Sequence, residues 1–142
     1  MKKVAIIYGS TTGNTEKAAE LIRRNLTDCD VTLSEVSGAT DELVSSADLV
    51  LLGSSTWGYG ELQEDFNPYY ETMSAELFRG KDVAVFGCGD KEGFADVFCE
   101  AVDKINEKAL QCGATILAEG LKIDGDADDS LEQIQAFAKK MQ

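Results

Sequence analysis

The sequence predicts one α/β domain over residues 1–142, a doubly wound parallel sheet of five strands with helices on both faces. Short apolar runs alternate with amphipathic helical stretches along the whole chain, which is the pattern of strand–helix–strand units. Polar loops rich in glycine or hydroxyls follow the first, third and fourth of those runs, at the ends where such sheets bind ligands. With 142 residues, 44% of them hydrophobic and spread in short runs, the chain has the length and composition of one globular domain.

Lys3–Tyr8 carries the branched run VAIIY and reads as a buried strand. A turn follows at Gly9–Gly13, then a helix from Asn14 to Leu26 with Ala18, Ile22 and Leu26 on one face. Val31–Val36 is a weaker second strand and Asp41–Ser46 a short helix. Asp48–Gly53 (DLVLLG) is the most apolar strand, as expected near the middle of a parallel sheet. The only proline, Pro68, falls in the first turn of a helix around Asp65–Met73, where a missing N–H costs nothing. Lys81–Gly87 is the fourth strand. Phe98, Val102, Ile105, Ala109 and Cys112 then share a helix face, and Gly113 ends the helix. Thr115–Leu117, extended by Leu121–Ile123, supplies the fifth strand. Leu131, Ile134, Phe137, Ala138 and Met141 mark a closing amphipathic helix.

Composition removes several function classes. The chain has no histidine, so Ser-His-Asp and Cys-His catalysis and imidazole metal sites are out of reach. Cys29, Cys88, Cys99 and Cys112 lack the C-x-x-C spacing of zinc, iron–sulfur or dithiol sites and read as reduced thiols. Any electron chemistry then requires a bound organic cofactor. No metal site is expected. The apolar run at Ala47–Gly53 is too short to cross a bilayer, and no cleavage-type site follows the opening lysines, so a cytoplasmic protein is expected. A net charge of −13, from 26 acidic and 13 basic residues, argues against nucleic acid and membrane as partners. The same charge serves solubility or steers docking onto basic proteins; composition does not choose between them.

Three loops carry the chemistry. The first, Gly9-Ser10-Thr11-Thr12-Gly13-Asn14-Thr15, places four hydroxyls, an amide and two glycines at a strand-to-helix turn. Hydroxyls plus the free N–H groups and positive dipole end of a helix form a phosphate cradle. The loop lacks the Gly-Lys-Ser/Thr ending of a triphosphatase loop and the G-x-G-x-x-G of a dinucleotide fold, which favours a single terminal phosphate. An ordinary helix capped by Thr12 is the competing reading. The second loop, Ser54-Ser55-Thr56-Trp57-Gly58-Tyr59-Gly60-Glu61-Leu62-Gln63, puts the only tryptophan at the binding edge. There it either stacks on a ring system or packs on a neighbouring helix. The third, Phe86-Gly87-Cys88-Gly89-Asp90 continuing through Gly93, Phe94, Ala95 and Asp96 to Cys99, offers Phe94 as a second stacking plate or as a core residue.

Taken together these loops resemble those of flavodoxins over the full length of the chain. Tyr8–Thr15 is similar to the family's T/S-x-T-G-x-T phosphate signature, Ser55–Gly58 to its first flavin loop, and Gly87–Asp90 with Gly93–Asp96 to its second. The resemblance implies strand order 2-1-3-4-5 and FMN as cofactor. It implies that Ser10, Thr11, Thr12, Gly13, Asn14 and Thr15 bind the phosphate. Ser54, Ser55, Thr56 and Gly60 then frame the flavin, with Trp57 on one ring face and Phe94 on the other. The backbone of Asp90 and Cys99 bonds the pyrimidine edge, Cys88 and Gly89 belong to the same flavin-binding loop, and the Gly58–Tyr59 peptide turns its carbonyl toward N5 in the semiquinone. The implied function is a low-potential one-electron carrier working between semiquinone and hydroquinone, a monomer whose redox partners dock through basic faces. Phe94 departs from the family's usual tyrosine. Loops two and three resemble those of long-chain members, while the long-chain insertion in the last strand is absent between Thr115 and Ile123, giving a short-chain build.

Relatives by fold fail on residues. A phosphotransfer receiver needs an aspartate where Gly53-Ser54 stands, and a cysteine phosphatase needs a C-x5-R run that is missing. The alternative that survives is an FMN-dependent NAD(P)H reductase of the same superfamily.

Overall fold

The computed structural model describes residues 2–57, 60–90 and 98–141. In chain order the elements are β1 (Lys2–Gly9), α1 (Asn14–Asn25), β2 (Cys29–Glu35), α2 (Asp41–Ser46), β3 (Leu49–Ser54), β4 (Thr56–Trp57), β5 (Glu61–Leu62), α3 (Phe66–Thr72), α4 (Ala75–Phe78), β6 (Asp82–Gly89), α5 (Glu100–Gln111), β7 (Thr115–Ile116), β8 (Leu121–Asp124) and α6 (Leu131–Met141). The main sheet is parallel throughout, ordered β2-β1-β3-β6, with β7 and β8 both on the outer side of β6. This is the expected 2-1-3-4-5 arrangement, with the fifth strand divided in two.

The division has a countable cause. Val83 pairs with Ile116 and Phe86 with Leu121, so three steps along β6 face five steps along the partner. Two surplus residues bow out between β7 and β8. Gly120 sits where the bow returns, because a Cβ there would collide with Val102.

Alternation along the strands builds two cores. Val4, Ile6, Leu49, Leu51, Ala84 and Phe86 face α1 and α6, packing on Ala18, Ile22, Ile134 and Phe137. Ala5, Ile7, Val50, Leu52, Val83 and Val85 face the opposite layer, meeting Phe66, Phe78, Val102 and Ile105. Strands β1, β3 and β6 are thus buried on both faces, which explains their unbroken apolar runs. Phe66, Phe78 and Phe86 are wholly buried, each contributing about 2 kcal/mol through apolar area removed from water.

The reversal of strand direction of growth falls between β1 and β3. Their C-terminal ends finish flush, Gly9 opposite Ser54, so the loops after them open side by side at one rim. No helix among the described residues is long and apolar enough to cross a membrane.

Candidate functional site at the C-terminal rim of the sheet

The first loop is open to an anion. The N-cap of α1 is Gly13 at φ +92, and no side chain caps the helix, which rules out the Thr12-capped reading. The first-turn N–H groups are therefore left to a ligand or water. Ser10 Oγ accepts from Gly13 N–H at 3.1 Å, and Thr11 Oγ1 accepts from Gln63 Nε2 at 3.0 Å. Thr11, Thr12 and Gly13 are exposed while Thr15 is buried. Thr15 Oγ1 has no hydrogen-bond partner, although the Cys88 thiol lies close enough to feel it. A sulfur neighbour is a weak partner, so the hydroxyl stands as an unsatisfied buried group at the base of the loop.

The nearest cation is kept out of this cradle. Lys17, one turn into α1, donates to Asp126 Oδ1 at 3.1 Å and Asp128 Oδ2 at 2.9 Å instead. Those contacts raise the lysine pKa; the Asp128 N–H, followed by Lys17, holds the Asp126 carboxyl below its ordinary value. Asn14 also turns toward this segment: its Nδ2 donates to Gly125 O at 2.6 Å and its Oδ1 accepts from Ala127 N–H at 2.9 Å. Its side chain is thus engaged in holding the loop before α6 against α1, with only its backbone N–H facing the cradle. Neutral hydroxyls and amide N–H groups suit a single phosphate, so the residues present fit the phosphate end of FMN.

The second loop forms a small hairpin that sequence periodicity did not indicate. Strands β4 and β5 pair antiparallel, Thr56 with Leu62 and Trp57 with Glu61. Two contacts tie the hairpin to α5. Thr56 Oγ1 accepts from Ala101 N–H at 3.0 Å, and Lys104 Nζ donates to Gly60 O at 2.7 Å. Gly60 has φ +89, and a Cβ there would strike the Glu100 carboxylate. Trp57 is 40% exposed, the most exposed aromatic among the described residues. A groove of about 370 Å³ runs beside it between Thr11, Leu62 and Asn67. Ser54 is buried; its Oγ donates to Ser55 O and accepts from Gln63 N–H.

Gln63 escaped the sequence reading as a site residue. It is 2% exposed, and its amide reaches both Thr11 and Asp65, bridging the first two loops. The available signal was a lone amide after an apolar residue in a loop otherwise full of acids, which periodicity cannot rank.

At the third loop Cys88 and Gly89 end β6, and Asp90 follows, exposed. Cys99 adopts φ +51, the one non-glycine residue with positive φ among those described. That conformation costs about 1–2 kcal/mol outside glycine. It turns the Cys99 thiol inward, 3.7 Å from Gly87 O and 3.6 Å from Ile123 O, and brings its backbone against Gly89, where a Cβ would lie 3.0 Å from Cys99 N. Burial pushes the Cys88 thiol up to about 11 and Cys99 up to about 12, so neither is a thiolate nucleophile at neutral pH. Gly58, Tyr59 and Phe94 lie outside the described residues. All four cysteines are free, and the described residues hold no cluster of metal-ligating side chains.

Three comparisons bear on this arrangement. A family model described as Flavodoxin matches residues 6–137. The flavodoxin of Maridesulfovibrio salexigens is 44% identical over 134 residues, covering 90% of each chain. Oxidised flavodoxin 2 from Bacillus cereus superposes with a TM-score of 0.88 at 36% identity, covering 97% of this chain and 96% of that one. Fusobacterium nucleatum flavodoxin bound to flavin mononucleotide shares the fold at a TM-score of 0.87 and 19% identity, covering 99% and 97% of the two chains.

Proposed function

This chain belongs to the flavodoxin family, an FMN-binding electron carrier rather than an enzyme, and on that premise we propose how its residues serve the cofactor. Residues 1–142 act as one FMN-binding domain. FMN, when bound, supplies the redox chemistry by accepting and releasing electrons singly. Ser10, Thr11 and Thr12 donate hydroxyl protons to the phosphate, the backbone N–H groups of Asn14 and Thr15 complete the cradle, and Gly13 shapes the turn, its own N–H held by Ser10. Trp57 covers one ring face; Thr56 and Gly60 hold its hairpin on α5, and Ser54 and Ser55 brace the loop from within. The turn Cys88-Gly89-Asp90 and the backbone of Cys99 meet the polar edge of the ring. Gly58, Tyr59 and Phe94 are assigned by family resemblance alone.

The observation that carries this reading is the uncapped start of α1 with the unpartnered Thr15 hydroxyl beneath it. A phosphate seated at the helix start would give that hydroxyl and the free first-turn N–H groups the partners they lack. Acidic side chains at the rim, among them Glu61, Glu64, Asp65 and Asp90, resist further negative charge in the site. They lower the potential of the second electron step, where each 59 mV corresponds to about 1.4 kcal/mol. Redox proteins with basic faces are the partners this rim suits, and the protein works as a cytoplasmic monomer.

Absorption spectroscopy during anaerobic reduction of the FMN-loaded protein tests the reading. Two separated one-electron steps support it. A single two-electron bleaching, or NAD(P)H oxidation by the purified protein alone, overturns it.

A further inference from the structure

We propose that Gln63 is a positioning residue for the phosphate end of the cofactor, acting through the hydroxyl of Thr11. The inference rests on the phosphate cradle assigned above. Its argument is one of hydrogen-bond polarity. Gln63 Oε1 accepts from Asp65 N–H at 2.9 Å. A backbone N–H can only donate, so the oxygen end of the amide is fixed on that side and the NH2 end on the other. Nε2 then lies 3.0 Å from Thr11 Oγ1 and 3.2 Å from Asp65 Oδ2. An amide NH2 has no lone pair to offer, so Thr11 must accept from it, and the single hydroxyl proton of Thr11 is directed elsewhere. Thr11 is exposed at the rim, where that proton is free to meet an anion.

Ser10 repeats the device: its oxygen is occupied by Gly13 N–H, which leaves its own proton to donate. A phosphate accepts hydrogen bonds and offers few, so hydroxyls held as donors suit it and hydroxyls free to rotate suit it less. The protein makes room for the arrangement. A Cβ on Gly9 would collide with Gln63 Oε1, and the Gln63 N–H is anchored to Ser54 Oγ at 3.0 Å. Burying an amide at this depth costs more than burying an apolar side chain of the same size, so packing alone does not account for glutamine here.

Apoproteins of wild type, Q63M, T11V and Q63M/T11V, each checked for a cooperative thermal transition, are titrated with FMN and with riboflavin, which lacks the phosphate. Wild type is expected to favour FMN. Q63M is expected to reduce the FMN-to-riboflavin affinity ratio by about tenfold, the worth of one hydrogen bond to a charged group, with riboflavin binding unchanged. In the T11V background the same change should leave the ratio where T11V put it. Q63E provides a second route should Q63M fail to fold: its carboxylate takes the Thr11 proton, and the ratio should fall further. Equal weakening of both flavins in Q63M and Q63E, or an undiminished effect of Q63M on the ratio without the Thr11 hydroxyl, overturns the inference. A wild type that binds riboflavin as tightly as FMN overturns the phosphate cradle itself, a separate result.

Discussion

Trp57 Nε1 donates to Ser55 Oγ at 2.8 Å, so the polar edge of the indole is tethered within its own loop while the ring stays 40% exposed. A tethered, uncovered ring is preorganised for stacking, since little side-chain freedom is left to lose on binding. Because it is the only tryptophan, its emission reports on that face alone. FMN titration is expected to quench tryptophan fluorescence stoichiometrically. W57A should weaken binding by about 1 kcal/mol or more, and W57F by less. Emission unchanged at saturation would exclude stacking.

Thr15 gives a prediction with opposite signs in two measurements. Its buried hydroxyl lacks a partner in the apoprotein, so T15V removes a desolvation penalty without changing shape. Denaturant unfolding of the T15V apoprotein should show equal or greater stability, by up to about 1 kcal/mol. FMN affinity of the same variant should fall. A hydroxyl with a merely structural role would move both quantities in the same direction.

The contacts of Lys17 with Asp126 and Asp128 confer a pH window. Asp126 has a lowered pKa in the fold, so its contribution is complete above the ordinary value of 3.8 and is lost as pH falls through the lower folded value. Lys17 has a raised pKa, so its contribution is complete below 10.5 and is lost as pH rises through the higher folded value. The stability difference between wild type and K17M should form a plateau between those limits and close at both ends. It should shrink with added salt, because all three side chains are exposed.

Gly53 and Phe86 are register partners in β3 and β6, and a Cβ on Gly53 would strike the Phe86 ring. G53A should therefore destabilise by about 2–3 kcal/mol through overpacking. F86L is expected to recover part of that loss in G53A/F86L, measured by urea unfolding. Full additivity of the two changes would show that the ring is not the cause.

The main elements were legible because their signals are periodic. Asp41–Ser46 and Leu131–Met141 fall where the sequence places them; α1 ends one residue earlier than expected, and β3 is shifted by one residue at both ends. Gly113, at φ +83, ends the fifth helix as its position suggests. What periodicity missed was short or set by tertiary contacts. The two-residue strands β4 and β5 are below the length at which alternation registers. The one-turn helix α4 is equally brief. At the site, hydroxyl and aromatic types pointed to the right loops, but residue type does not say which neighbour a side chain chooses. The Asn14 side chain bonds to Gly125 and Ala127, far along the chain, and Gln63 to Thr11. Both choices depend on strands distant in sequence being brought together.

The bow between β7 and β8 has a consequence for how this protein meets its own copies. A parallel sheet that ends in a long, straight outer strand presents a template that another chain can extend. Here the outermost strand is broken, and its longer piece, Leu121–Asp124, spans only four residues. Lys122 on that piece is exposed and paired with Asp103 at 2.8 Å, placing charge on the margin. A growing stack of sheets would find neither the length nor the flatness it needs on this side, so the fold resists fibre-like association by shape before its net charge is called upon.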